Sequence, residues 1–109
     1  MIRVVVTTFS DEAAAAAAVR TLVAERLAAC GTIVPAARSI YRWKDRIEDS
    51  AETVVLFKTT RAAYSAFETR LRELHPYEMP EILAFDPAAA GESYACWVEE
   101  CCACRASPQ

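Results

Sequence analysis

Apolar and polar positions along the chain change period several times, and each change marks an element. Ile2 to Thr8 is an almost unbroken apolar and β-branched run, the pattern of a strand buried on both faces and central in a sheet. Ser10-Asp11-Glu12 then offers an N-cap and acids that complement a helix dipole. A helix is predicted from there to about Ala29, with Ala16, Val19, Val23 and Leu27 as its apolar stripe and Leu22 beside it. Gly31 is placed to end it. From Thr32 to Thr60 the helical period vanishes and β-branched and aromatic residues dominate, which predicts two long strands. Tyr41 and Trp43 share one face and Arg42 and Lys44 the other; Lys44 to Ser50 holds the turn, and Thr53 to Thr59 is the return strand.

A second amphipathic helix starts near Thr60-Arg61 and shows Tyr64, Phe67, Leu71 and Leu74 on one face. Pro76 removes a donor and holds His75 extended, so this helix stops close to Leu74. Pro80 stiffens the other side of the connector. Glu81 to Phe85 forms a short strand stopped by Asp86-Pro87, Ala88 to Gly91 is a linker, and Tyr94, Trp97, Val98 and Cys101 mark a last helix. Residues 1–104 are expected to form one domain, and 105–109 a frayed tail. The order strand, helix, strand, strand, helix, strand predicts an α+β fold: a ferredoxin-like split βαβ sandwich on an antiparallel sheet, with a long hairpin and an added C-terminal helix.

Length sharpens one point. Twelve or so extended residues span about 40 Å, whereas a compact chain of this size is about 26 Å across, so the hairpin overhangs its own domain. An overhanging edge with aromatic residues needs a cover, which implies oligomerisation through the hairpin. Charge adds little: a net charge of -3 from mixed acids and bases argues against a nucleic-acid face. The N-terminus resembles no signal peptide and no stretch approaches a membrane span, so a cytoplasmic protein is expected. Five cysteines are an odd number there and imply free thiols rather than a disulfide framework.

Candidate chemistry centres on Leu74-His75-Pro76-Tyr77-Glu78-Met79-Pro80-Glu81, which contains the only histidine. His75 and Glu78 supply nitrogen and oxygen donors suited to Cu²⁺, Zn²⁺ or Ni²⁺, although two donors are too few for a tight site. The same residues also fit a histidine at a helix C-terminus beside a paired glutamate. Cys30 is either a soft ligand or a small core residue. Cys96, Cys101, Cys102 and Cys104 form no zinc-finger pairing and read more simply as helical cysteines open to oxidation. Tyr41, Trp43, Lys58 and Tyr77 either line a cleft for a small anionic ligand or serve packing. Two glycines leave no room for a P-loop or dinucleotide fingerprint, and one histidine without a nucleophile partner leaves no triad. No enzyme activity and no required cofactor are expected.

His75-Pro76-Tyr77-Glu78-x-Pro80-Glu81 resembles the signature of the CutA family, the divalent-cation tolerance proteins. Glu25-Arg26-Leu27-Ala28-Ala29-Cys30, Ser39-Ile40-Tyr41-Arg42-Trp43-Lys44 with Ile47-Glu48, and Lys58-Thr59 are similar to other parts of that family. The resemblance implies a homotrimer of ferredoxin-like subunits, akin to the PII signal proteins, that binds divalent metal, copper foremost, at a cleft between subunits. Carried over by motif, His75, Glu78 and Cys30 are its metal residues, and Tyr41, Trp43, Lys58 and Tyr77 line the cleft. The alternatives are a PII-like module holding an anion through Lys58, and a purely structural trimer. Some relatives carry a cysteine and a second histidine where this chain has Thr7 and Leu74.

Overall fold

The computed structural model describes residues 1–103. Seven elements follow in order: β1 (Ile2–Phe9), α1 (Glu12–Ala24), β2 (Cys30–Trp43), β3 (Arg46–Thr60), α2 (Tyr64–Leu74), β4 (Leu83–Phe85) and α3 (Glu92–Cys102). The sheet runs β2-β3-β1-β4 with every pairing antiparallel, which is the expected ferredoxin-like topology. The expectations for Cys104 and the 105–109 tail lie outside the described residues.

Alternation along the central strand divides the molecule in two. Val5 and Phe9 point to one face, where α1 and α2 close a core with Val55, Phe57, Phe67 and Leu71. Ile2 and Val4 point to the other face, where Val98 of α3 and Ala29 cover them. α3 covers only that end. Reading across the paired strands, Thr32, Leu56, Val6 and Leu83 form the next row, and Val34, Val54 and Thr8 the one after. Val34 is 44% exposed and Leu83 51%, so this apolar face lies largely open.

α1 corrects two expectations. Asp11 is its N-cap, accepting from the Ala14 amide at 2.8 Å, but the helix ends at Ala24 rather than Ala29. Its buried residues are Ala15, Ala18 and Leu22, and Val23 is exposed. Six consecutive alanines give no period, so the small side chains that let the helix approach the sheet decide the face. Nor does Gly31 end the helix. Arg26 takes the left-handed conformation there, with φ 62°, and its guanidinium donates to the Glu100 and Cys101 carbonyls at the C-terminal end of α3. Gly31 lies in β2, where a Cβ would stand 2.9 Å from a Val19 methyl carbon and 3.2 Å from Phe57. α1 approaches the sheet there too closely to admit a side chain.

The hairpin is longer and tighter than expected. Lys44 and Asp45, with φ of 50° and 65°, form a two-residue loop between the paired Trp43 and Arg46. The return strand therefore begins at Arg46, not Thr53. Ala36, at φ 63°, sits in a bulge beside Pro35, which the edge strand tolerates. Since β1 pairs with β3 only as far as Thr53, everything beyond is a two-stranded arm, and the described chain measures 49 × 29 × 22 Å. α2 begins at Tyr64, later than expected, and β4 holds only Leu83 to Phe85. Asp86 ties that short strand down through Arg3, at 2.7 and 3.0 Å, and Arg61 at 3.3 Å.

Candidate functional site

Where the arm leaves the body, it and the connector between α2 and β4 enclose an open groove of about 700 Å³. Thr8 and Ser10 line its base end, Ser39, Ile40, Tyr41, Trp43, Ser50, Ala51 and Glu52 come from the arm, and Tyr77, Glu78, Met79 and Glu81 from the connector. Tyr41, Trp43, Tyr77 and Glu78 thus lie around one groove in the single chain.

His75 sits behind the groove, only 7% exposed and stacked on Phe9 with ring centroids 4.3 Å apart. Its Nε2 lies 2.7 Å from the Thr8 carbonyl, which can only accept, so Nε2 carries the proton. Its Nδ1 accepts the Tyr77 amide at 3.1 Å. Both nitrogens are engaged and the ring is neutral. Burial pushes its pKa below the ordinary imidazole value, outweighing the Thr8 carbonyl and the Glu52 charge that raise it. Within one chain, His75 therefore positions Tyr77 and has no lone pair free for a metal.

Tyr77 continues the chain of contacts into the groove. Its hydroxyl donates to Glu52 at 3.0 Å. Burial, then the hydrogen bond to Glu52 and its charge, push the phenol up to about 12. Glu52 was not singled out from sequence. The signal for it was the loop: a two-residue turn at Lys44-Asp45 pairs Ser39 with Ser50 and Ala37 with Glu52, which brings Glu52 to the mouth of the arm.

Cys30 and Lys58 do not join this group. They are paired with each other across β2 and β3, in the row that contains Val4 and Phe85, at the α3 end of the sheet. Cys30 Sγ lies 3.7 Å from the Tyr94 hydroxyl, and Lys58 Nζ donates to Thr32 Oγ1 at 2.9 Å. Within one chain, Cys30 is thus a packing thiol and Lys58 lies away from the groove. Motif order along the chain does not reveal which end of the sheet a strand residue occupies. Cys101 and Cys102 pack beside Ile2, Ala29 and Val98, while Cys96 is exposed. Burial pushes the Cys102 thiol up. Among the described residues, no three His, Cys, Asp or Glu side chains lie close enough to hold a metal ion. No helix among them is long and apolar enough to cross a membrane.

The chemistry of the groove follows from this inventory. Three carboxylates, Glu52, Glu78 and Glu81, line it together with three aromatic rings, and no Lys or Arg among the described residues does so. It favours cations over anions.

Comparison with known proteins agrees with the fold. The family described as CutA1 divalent ion tolerance protein matches residues 3–101. The divalent-cation tolerance protein CutA of Thermus thermophilus is 41% identical over 100 residues, covering 92% of this chain and 97% of that protein. That of Pectobacterium atrosepticum is 35% identical over 95 residues, covering 87% of this chain and 86% of its own. The crystal structure of CutA from Xylella fastidiosa superposes with a TM-score of 0.91 at 37% identity, covering 94% of this chain and 98% of that one.

Proposed function

Because the chain belongs to the CutA1 divalent ion tolerance family, we propose that it serves divalent-cation tolerance as a non-enzymatic homotrimer whose groove lies at a cleft between copies. The observation that carries this reading is the charge of the groove, with three carboxylates and no basic side chain among the described residues. Glu78 and Glu81 give a divalent cation its first oxygen donors, and the binding is weak because the described residues of one chain offer no complete set. Copper or zinc reaches fuller coordination only with donors from a second copy. His75 acts by holding Tyr77 in place.

Assembly is supported by the open sheet face around Leu56, Val6 and Leu83, and by the arm. Ile40 and Ile47 lie on one side of that arm and Tyr41 and Trp43 on the other; all four are exposed in the single chain. An arm apolar on both sides suits a place between two other copies, which a trimer provides. Four free thiols among the described residues fit a reducing compartment such as the cytoplasm.

Calorimetric titration with Zn²⁺, and with Cu²⁺ under non-oxidising conditions, tests the site. Binding should weaken in Glu78→Gln and Glu81→Gln and persist in a chain truncated after Glu100. Loss only on truncation would move the metal to the terminal cysteines and overturn the reading. Light scattering should give the mass of three chains.

A further inference from the structure

Three thiols gather where α3 crosses the end of the sheet, far from the groove. Cys30 opens β2, and its Sγ lies 3.7 Å from the Tyr94 hydroxyl of α3. Cys102 closes α3, and its Sγ lies 4.0 Å from Thr59 Oγ1 on β3, the strand next to β2. Cys102 also packs on the cluster that holds Ala29, the residue before Cys30. Cys101, one position earlier on the helix, lines a separate shallow hollow with Ala24 and Arg26. All these contacts are made within one chain. None belongs to the arm or to the open rows of the sheet that start at Thr32.

The sulfurs are close enough to sense one another. Burial, foremost, and the charges of Cys101 and Cys30 push the Cys102 thiol up, against the Thr59 hydroxyl that lowers it. A disulfide requires two Cα atoms within about 7 Å of each other, and the adjustment it asks for is available at the end of α3. Cys102 is the last helical residue and Ala103 is already extended, so the Cys102 carbonyl takes part in no helix bond and the residue turns at small cost. Arg26 meanwhile keeps that turn beside the end of α1 through the Glu100 and Cys101 carbonyls.

We propose that Cys30 and Cys102 form a reversible redox pair, bonded under oxidising conditions and free otherwise, which staples the end of α3 to the start of β2. The oxidant is a low-molecular-weight disulfide such as glutathione disulfide. The Cys30 thiolate attacks one of its sulfurs, forming a mixed disulfide and releasing one glutathione thiolate. The Cys102 thiolate then attacks the Cys30 sulfur and displaces the second glutathione. The two protons of the protein thiols end on the two glutathiones, and two electrons pass from the protein to the oxidant. Val98 is the only fully buried side chain of α3, so a link across roughly seventy residues adds a second, covalent hold. A pair that opens and closes with the redox state suits a reducing compartment, where a permanent disulfide does not.

The test incubates the full chain in glutathione buffers with a rising share of the oxidised form, caps free thiols with N-ethylmaleimide and digests with trypsin. Cleavage after Arg26, Arg38, Arg72 and Arg105 makes the bond visible as peptide 27–38 joined to peptide 73–105. The joined peptide should form in the native chain, in Cys101→Ser and in Cys104→Ser, and be absent from Cys30→Ser and Cys102→Ser, all with native circular dichroism. Cys96, which is exposed, should carry glutathione instead. Hydrogen exchange at α3 amides should slow about tenfold on oxidation and recover with dithiothreitol. No joined peptide at any glutathione ratio would overturn the proposal, as would one that survives Cys102→Ser. A bond that joins two chains, seen as a doubled mass in non-reducing denaturing gels, overturns it too. The joined peptide without slower α3 exchange removes the stapling role.

Discussion

Replacing His75 with alanine should destabilise the fold by about 3 kcal/mol, although the residue lies outside the main hydrophobic core. Three losses add. The stack on Phe9, at 4.3 Å, is worth about 0.5–1.5 kcal/mol. The Thr8 carbonyl loses a donor at 2.7 Å in a buried setting, which costs about 1–3 kcal/mol. The Tyr77 amide, 3.1 Å from Nδ1, is only partly buried and finds water at smaller cost. Urea unfolding at fixed protein concentration measures the sum, since the proposed assembly would make stability depend on concentration. The pH dependence separates this role from generic packing. The folded-state pKa of His75 lies below its unfolded value of 6.5, so its contribution is complete above that value. As pH falls through 6.5 towards the folded pKa, the unfolded chain takes up a proton that the folded chain refuses, and stability drops. The gap between native protein and His75→Ala should therefore narrow between pH 7 and pH 5. A gap under about 0.5 kcal/mol at pH 7, or one that does not change with pH, would refute the reasoning.

Other outcomes follow from the same contacts. Gly31→Ala should cost about 1–3 kcal/mol in thermal or urea unfolding, because its Cβ meets Val19, and Val19→Ala in the same chain should recover part of the loss. Tyr77→Phe should remove the phenol that ionises last in an ultraviolet pH titration. The raised pKa of about 12 also means that stability is lost as pH climbs from about 10 towards 12, where the unfolded phenol ionises first. Leu83→Asp, on the open sheet face, should shift light scattering from three chains towards one while circular dichroism at low temperature stays native. Lys44-Asp45→Asn-Gly should stabilise the arm by about 1 kcal/mol, as both positions have positive φ.

Much of the fold was legible because periods were clear where side chains differ. β1 reads as a central strand from Ile2 onward, and α2 shows Phe67 and Leu71, both fully buried, at helical spacing. α1 was legible as a helix but not as a face, since alanine offers no contrast around its circumference. Its end was misplaced because glycine is the usual left-handed residue, and here Arg26 takes that conformation. Such a residue costs about 1–3 kcal/mol and needs the surroundings to hold it. Those surroundings are the α3 carbonyls some seventy residues away, at 3.2 and 3.4 Å. The glycine was read as a stop signal, whereas close packing placed it.

The site divides along the same line. Tyr77 and Glu78 could be found because two prolines fix the connector that bears them. Glu52 and Lys58 could not be assigned because their places depend on strand register, and His75 because its role depends on Thr8 and Phe9, far away in sequence. Moving the turn from the 44–50 region to Lys44-Asp45 brings Glu52 to the groove, and pairing Lys58 with Cys30 and Val4 takes the only proposed anion anchor to the far end of the sheet. That single register decides the charge of the groove within one chain. With Lys58 in the groove, an anion would have found a partner; without it, the lining is three carboxylates and aromatic rings. The neutral, fully bonded His75 removes the other source of positive charge, since protonating it would break the bond to the Tyr77 amide.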